Sequence, residues 1–203
     1  MEASYGDEKS NKATEKIFMV KRMIGLIVAL FLLCQDANAQ QKIFVQQSKI
    51  TFLSEAQLET ISATSHELKG VVDPQNKTFA FSVTSKSFKG FNSPLQQEHF
   101  NDNYLESDKY PVITFTGKII DEINFEKPGV YTVRAKGMLS MKGVSREQII
   151  RAIVDVKSGQ VTINSDFEVL LDDYSIRIPR VVSQKISPSI KVKMEALLKS
   201  KYK

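Results

Sequence analysis

The sequence of 203 residues contains one cysteine and two histidines, and these shortages restrict the chemistry that it can perform. Cys34 lies in an apolar N-terminal segment that we expect to be removed, which would leave the mature protein without a thiol or a disulfide. His66 and His99 belong to no zinc-protease, redox or serine-hydrolase motif. His99 directly follows Glu98, and adjacent residues point to different sides of a helix, so the pair does not suit a metal site. We therefore predict a protein that is not an enzyme, with no catalytic residue, metal or cofactor.

The sequence also lacks an apolar run long enough to cross a bilayer. Residues 23–34 form a run of about a dozen residues, short of the ~20 that a membrane span needs. Lys21 and Arg22 precede this run and Ala37-Asn38-Ala39 follows it, in the order of a signal peptide and its cleavage site. We expect residues 1–18 to be disordered or to precede the true translation start. We expect residues 19–39 to be a signal peptide cleaved near Ala39, and residues 40–203 to be the folded domain, periplasmic or secreted. A membrane span and a lipoprotein anchor on the cysteine are the alternatives.

Charge of one sign is not concentrated in any long segment. The formal net charge is +5, and cations and anions are mixed along the chain, which indicates a soluble surface and no nucleic-acid partner. The C-terminal end is the exception, with Lys191, Lys193, Lys199, Lys201 and Lys203. These lysines are either a solvated strand face and tail or a peripheral contact with anionic lipid. The oligomeric state is not predicted.

Alternation of apolar and polar residues, which is typical of half-buried strands, recurs along the chain. The clearest examples are residues 79–84 and 131–141, whereas residues 54–67 fit a helical turn and an extended chain equally. Pro94 and the polar residues after it predict one short helical insertion, and Tyr110-Pro111 predicts the start of the next strand. Further strands are predicted around residues 43–45, 50–52, 68–72, 113–119, 150–156, 161–169 and 190–196, and a long connection over 171–187.

About eight antiparallel strands without βαβ alternation predict an all-β fold. Such strands either stack as two sheets or close into a barrel, and closure removes the exposed edges. A barrel of eight strands has an interior that is filled by its own side chains or that holds one small ligand. The alternation alone does not choose between these arrangements.

Three segments carry a resemblance to a known family. They are His99-Phe100-Asn101 with Tyr104-Leu105-Glu106-Ser107-Asp108-Lys109-Tyr110-Pro111 and Thr114-Phe115; Lys136-Gly137-Met138-Leu139-Ser140-Met141-Lys142-Gly143-Val144-Ser145; and Asp172-Asp173-Tyr174-Ser175-Ile176. These segments resemble motifs of the YceI family, polyisoprenoid-binding periplasmic proteins with a lipocalin-like barrel. The sequence departs from the family pattern at Met141, Ser145 and Ser175, where His, Thr and Gly are more usual. The resemblance covers roughly residues 41 to 199.

The resemblance implies an eight-stranded antiparallel lipocalin-like barrel with one short helical insertion and an open, apolar lumen. It implies that the lumen binds a long-chain polyisoprenoid lipid, an isoprenoid quinone or a prenyl phosphate, as a periplasmic carrier or store. The residues expected to line the lumen are Phe79, Phe81, Val83, Ile113, Phe115, Tyr131, Val133, Ala135, Leu139, Ile163 and Phe167. The candidates for contact with a head group are Lys86, Lys89, His99 and Arg177. Ala135, Gly137 and Ala152 are small inward residues that should leave volume for a ligand. The alternative is a self-filled barrel that acts through its surface as a partner-binding or stress-related module.

Overall fold

The computed structural model describes residues 21–22 and 41–200. The predictions for residues 1–18, for most of the signal peptide and for Lys201 and Lys203 therefore lie outside the described residues and stay predictions. The nine strands of the described part are β1 (Ile43–Glu55), β2 (Thr60–Ser65), β3 (Lys69–Asp73), β4 (Thr78–Thr84), β5 (Val112–Ile119), β6 (Gly129–Met141), β7 (Val144–Lys157), β8 (Gln160–Leu170) and β9 (Ser189–Ser200). Helix α1 (Pro94–His99) continues into a π-helical segment, Phe100–Tyr104, and short 3₁₀ turns cover Ser85–Ser87, Asp172–Tyr174 and Arg180–Val182. No helix in the described ranges is long and apolar enough to cross a membrane.

The nine strands occupy eight positions around a closed antiparallel barrel. One edge of β1 pairs with β3 near its start and with β2 over its second half, so these two short strands share one position. The other edge of β1 pairs with β9, and the order from β3 to β9 follows the sequence. This topology confirms the prediction of an all-β, eight-stranded barrel with one short helix.

Two details of the strands differ from the sequence expectation. The two short strands expected around residues 43–45 and 50–52 are one long strand, β1, because an irregularity between Val45 and Gln47 interrupts the alternation without ending the pairing with β9. The ambiguous segment 54–67 contains β2, which is held by pairing with β1 and by a 2.8 Å hydrogen bond between the hydroxyls of Thr51 and Thr64. In both places a neighbouring strand decides the conformation.

One end of the barrel is filled by its own side chains. We call it the hairpin end, because the turns near residues 74–77 and 158–159 and the connection 120–128 lie there. The side chains packed at this end are Val72, Phe79, Ile119, Ile123, Val133, Val154, Val156, Val161 and Leu198, all of them buried. Burial of each large apolar side chain contributes about 1.5–3 kcal/mol, so this packed layer anchors the barrel.

The opposite end, which we call the insertion end, is covered by residues 85–111 and by the loop 171–188. Helix α1 begins there because Pro94 suits a first helical position and the Ser93 hydroxyl accepts a 3.2 Å hydrogen bond from the backbone amide of Gln96. After the π-helical segment, Ser107 fixes the return, since both its amide and its hydroxyl donate to Asn101. The insertion is therefore held by internal hydrogen bonds as well as by packing.

The three segments that carry the family resemblance meet at Lys142. Its ammonium lies 3.2 Å from a carboxylate oxygen of Glu106 and donates a 3.3 Å hydrogen bond to the carbonyl of Ser175. The next residue, Gly143, has φ +73°, and a Cβ there would lie 2.7 Å from the Tyr110 ring. The β6–β7 turn thus ties residues 85–111 to the loop 171–188.

Candidate functional site

A cavity of about 380 Å³ lies at the insertion end, within the range of roughly 300–1,000 Å³ that is typical of small-molecule pockets. Its walls come from the ends of β1, β4, β6 and β8, from the starts of β5 and β9, and from the two covering segments. The insertion contributes Phe88, Phe91 and Phe100, and the loop contributes Val182 and Ile186. Most lining side chains are apolar, so the cavity suits an apolar guest.

A second cavity of about 110 Å³ lies deeper in the barrel, towards the hairpin end. Ten of the eleven residues predicted to line the lumen border it: Phe79, Phe81, Val83, Ile113, Phe115, Val133, Ala135, Leu139, Ile163 and Phe167. The eleventh, Tyr131, borders neither cavity, and its hydroxyl donates a 3.0 Å hydrogen bond to the carbonyl of Lys127 at the hairpin end.

The two cavities are neighbouring parts of one lumen. Ile50, Val83, Ile113, Leu139 and Phe167 line both of them and form their common boundary. These side chains come from five different strands, so the boundary forms a ring around the barrel wall. A linear guest that enters at the insertion end would pass this ring before it reached the deeper cavity.

Aromatic rings form part of the wall in both cavities. Around the larger cavity, Phe100 packs 5.2 Å from Phe52 and 5.1 Å from Phe91, measured between ring centroids. Around the smaller cavity, Phe79 packs 4.9 Å from Phe115. The rings of the insertion were not predicted as lumen residues, because they lie outside the strands and follow no period-two pattern. The available signal was the presence of apolar rings in an otherwise polar segment.

The small inward residues differ in what they leave open. Ala135 and Ala152 line the smaller cavity. Gly137 leaves no such space, because a Cβ there would lie 2.4 Å from the carbonyl oxygen of Thr116 on the neighbouring strand. Glycine at this position permits close approach of β5 and β6 and does not provide ligand volume.

The polar groups of the larger cavity are only partly those expected from the sequence. His99 lines it, whereas Lys86, Lys89 and Arg177 line neither cavity and are exposed, and Lys86 forms an ion pair with Asp108.

Glu59, Gln96 and Lys185 also line the larger cavity, and the side-chain amide of Gln96 donates a hydrogen bond to the Glu59 carboxylate. The sequence reasoning missed these three residues because they lie outside the strands. Tyr104 lines the cavity too, and burial raises the pKa of its phenol further above neutral pH. Within residues 21–22 and 41–200, no group of three His, Cys, Asp or Glu side chains is placed to hold a metal ion.

Solved structures with a similar fold are known. A polyisoprenoid binding domain from Saccharophagus degradans, implicated in plant cell wall breakdown, has 13% identity and a TM-score of 0.66, with 78% of this chain and 98% of that chain covered. BcnA of Burkholderia cenocepacia has 14% identity and a TM-score of 0.61, with 74% and 95% covered. The Campylobacter jejuni YCEI protein has 18% identity and a TM-score of 0.58, with 72% and 89% covered. At these identities the likeness establishes the fold.

No curated protein matches the chain at a significant level. The model of the YceI-like domain matches residues 42–198, which is nearly the whole described barrel. The chain therefore belongs to the YceI family.

Proposed function

We propose that this protein binds an isoprenoid lipid, with the tail in the barrel lumen and the head group at the insertion end, and that it acts as a periplasmic carrier or store. The observation that carries the proposal is the apolar cavity of about 380 Å³ that adjoins a second cavity along the barrel. The similarity to a solved polyisoprenoid binding domain supports the same class of ligand.

The energetics of burial agree with a tail that fills the lumen. A cavity of about 150 Å³ holds one benzene ring, so the larger cavity corresponds to about 15 carbon atoms. At about 0.8 kcal/mol for each buried methylene, such a tail gains about 12 kcal/mol. Association costs about 4–15 kcal/mol, so useful affinity requires that most of the lumen be filled.

The polar lining favours a neutral head group over a pyrophosphate. Among the described residues, the larger cavity is lined by one lysine, Lys185, and by one carboxylate, Glu59. A pyrophosphate is usually held by several cationic donors, and a carboxylate beside it is repulsive. Gln96, His99 and Tyr104 supply hydrogen-bonding groups, which suit the carbonyl oxygens of an isoprenoid quinone.

The decisive experiment is lipid extraction and mass spectrometry of the protein purified without delipidation. We expect a stoichiometric isoprenoid lipid in the wild-type protein. In the variant Ala135→Phe, a ring enters the smaller cavity, so we expect a shorter tail or reduced occupancy.

The matched control is Val130→Phe on the same strand, where the side chain is 69% exposed and where we expect unchanged lipid. Circular dichroism and thermal melting verify that each variant is folded, and Ala135→Leu replaces Ala135→Phe if the larger ring prevents folding. A wild-type protein without lipid, together with no uptake of added isoprenoid quinone, would contradict the proposal and support the self-filled barrel.

The transport role needs its own measurement. Movement of a fluorescent isoprenoid between donor and acceptor vesicles, accelerated in proportion to protein concentration, distinguishes a carrier from a store. Osmotic-shock fractionation and N-terminal sequencing test the periplasmic location, with a mature terminus at Gln40 as the expected result.

A further inference from the structure

Three exposed apolar side chains surround the insertion end of the barrel. Leu58 in the β1–β2 turn is 63% exposed, Leu95 on α1 is 56% exposed, and Val181 in the loop 171–188 is 90% exposed. The segments touch one another, since the Leu58 amide donates a 2.9 Å hydrogen bond to the carbonyl of Gln184 and the side chain of Gln96 contacts Glu59. We call Leu58, Leu95 and Val181 the apolar rim.

The part of the loop that surrounds Val181 is also basic. Residues 177–186 contain Arg177, Arg180 and Lys185 and no acidic residue. None of these three cations forms an ion pair with a carboxylate in the part of the chain that the structure describes. The carboxylate of the neighbouring turn, Glu59, lines the cavity and accepts hydrogen bonds from two side-chain amides. Helix α1 adds one exposed acid, Glu98, and the loop 171–188 begins with Asp172 and Asp173, so the positive charge beside the rim is concentrated in residues 177–186.

The exposed apolar residues on the outer face of β7 lack this combination. Ile149 and Ile153 lie on the outer face of β7, where they alternate with Glu147, Arg151 and Asp155, which carry both signs of charge. Of the three lysines of β9, Lys191 forms an ion pair with Glu55, Lys193 lies 3.8 Å from Glu195, and Lys199 lies at the hairpin end, away from the rim.

We propose that the apolar rim and the cations of residues 177–186 form a membrane-docking surface whose occupant is a bilayer containing anionic phospholipid. Exposed apolar side chains gain free energy when they enter the acyl boundary, and nearby cations gain from anionic head groups. The same loop lines the larger cavity with Val182 and Ile186 while Val181 points outward, so docking here would place the lumen mouth against the lipid. The inference goes beyond lipid binding in the lumen and stands without it, because the apolar rim, Arg177 and Arg180 do not line either cavity.

A local fluorescence measurement tests this surface in the full-length chain. Cys34→Ser removes the only thiol, and Val181→Cys or the matched Val130→Cys then carries an environment-sensitive nitrobenzoxadiazole label. Position 130 is also exposed, but it lies at the hairpin end. The probes are vesicles of phosphatidylcholine alone and vesicles with one quarter phosphatidylglycerol, both free of isoprenoid.

We expect a blue-shifted, severalfold brighter emission from position 181 on the anionic vesicles and no change from position 130. The label reports only its own surroundings. Binding of the vesicles through the apolar residues 23–34 therefore does not mimic this result. Arg177→Gln and Arg180→Gln should each weaken the response about fivefold, and Lys127→Gln at the hairpin end should not.

A response at position 130, at both positions equally or at neither would overturn the proposal. The same holds if Val181→Asp separates a dimer into monomers in size-exclusion chromatography without vesicles, because the rim would then be a contact between two copies. Since the vesicles contain no isoprenoid, a failure of lumen binding does not alter any of these outcomes.

Discussion

The volume of the lumen predicts a ceiling on the length of isoprenoid tail that contributes to affinity. By the benzene comparison, the cavities of about 380 and 110 Å³ correspond to about 15 and about 4 carbon atoms. The tail inside the barrel is therefore about three to four isoprene units long. Each added five-carbon unit gains up to about 4 kcal/mol while it enters the lumen, and nothing once the lumen is full.

The assay is competition by prenyl alcohols of two, three, four and eight isoprene units against a fluorescent apolar probe. We expect affinity to rise steeply from two to three units, more weakly to four, and to stay level at eight. The change from three to four units is weaker because the smaller cavity holds only about four carbon atoms, fewer than the five of an isoprene unit.

Ala135→Phe, which fills the smaller cavity, should move the ceiling to about three units without weakening the two-unit alcohol. Val130→Phe should leave the whole series unchanged. Affinity that keeps rising through eight units, or a ceiling that Ala135→Phe does not move, would refute the assignment of the tail to these two cavities.

Three further predictions concern stability. Lys142→Met removes a largely buried ammonium from its carboxylate and carbonyl partners. It should lower the free energy of unfolding, measured by urea titration, by about 1.5–3 kcal/mol. An unchanged free energy of unfolding would argue against a structural role of Lys142. Gly137→Ala should cost about 1–3 kcal/mol because its Cβ meets a carbonyl oxygen at 2.4 Å, whereas Gly129→Ala, with its nearest contact at 3.5 Å, should change stability little. Hydrogen bonds from Arg134 hold the pKa of Asp121 below its ordinary value, so the pair stabilises the fold above the unfolded pKa of about 4 and loses this effect as the pH falls through the folded pKa. The difference in melting temperature between wild type and Asp121→Asn should therefore be constant above about pH 5 and shrink at lower pH.

The barrel wall was predictable from the sequence because alternation sets the face of each strand residue locally. Phe79, Phe81 and Val83 face the lumen whichever neighbour β4 pairs with, and the same holds along β6. The pairing register and the closure of the barrel depend on contacts between distant strands. The sequence pattern therefore did not predict the bulge in β1 or the single position that β2 and β3 share. The segments in question carry serine and threonine, which are compatible with loop and strand alike.

The covering segments were predictable in kind and not in orientation. Pro94 correctly marked the start of α1 and Tyr110-Pro111 the end of the insertion, yet nothing in the spacing indicates that Phe88, Phe91 and Phe100 turn into the cavity. The head-group candidates were chosen for charge, and a charged side chain in a loop has no period that fixes its direction. Lys185 therefore lines the cavity while Arg177, on the same loop, does not.

The residues that carry the family resemblance form a frame that fixes the two segments at the lumen mouth. Most of the polar groups that line the larger cavity lie outside this frame. Lys142 joins Glu106 to Ser175, and Gly143 accepts the ring of Tyr110, so these residues fix the two segments that cover the cavity. Glu59 and Lys185 lie outside all three segments, and the same frame can therefore present different head-group contacts. Loosening the frame should change how fast a lipid passes the mouth more than how tightly the tail is held. Lys142→Met should accordingly accelerate release of a bound isoprenoid in stopped-flow dilution while leaving the chain-length ceiling in place. A shifted ceiling would mean instead that Lys142 shapes the lumen itself.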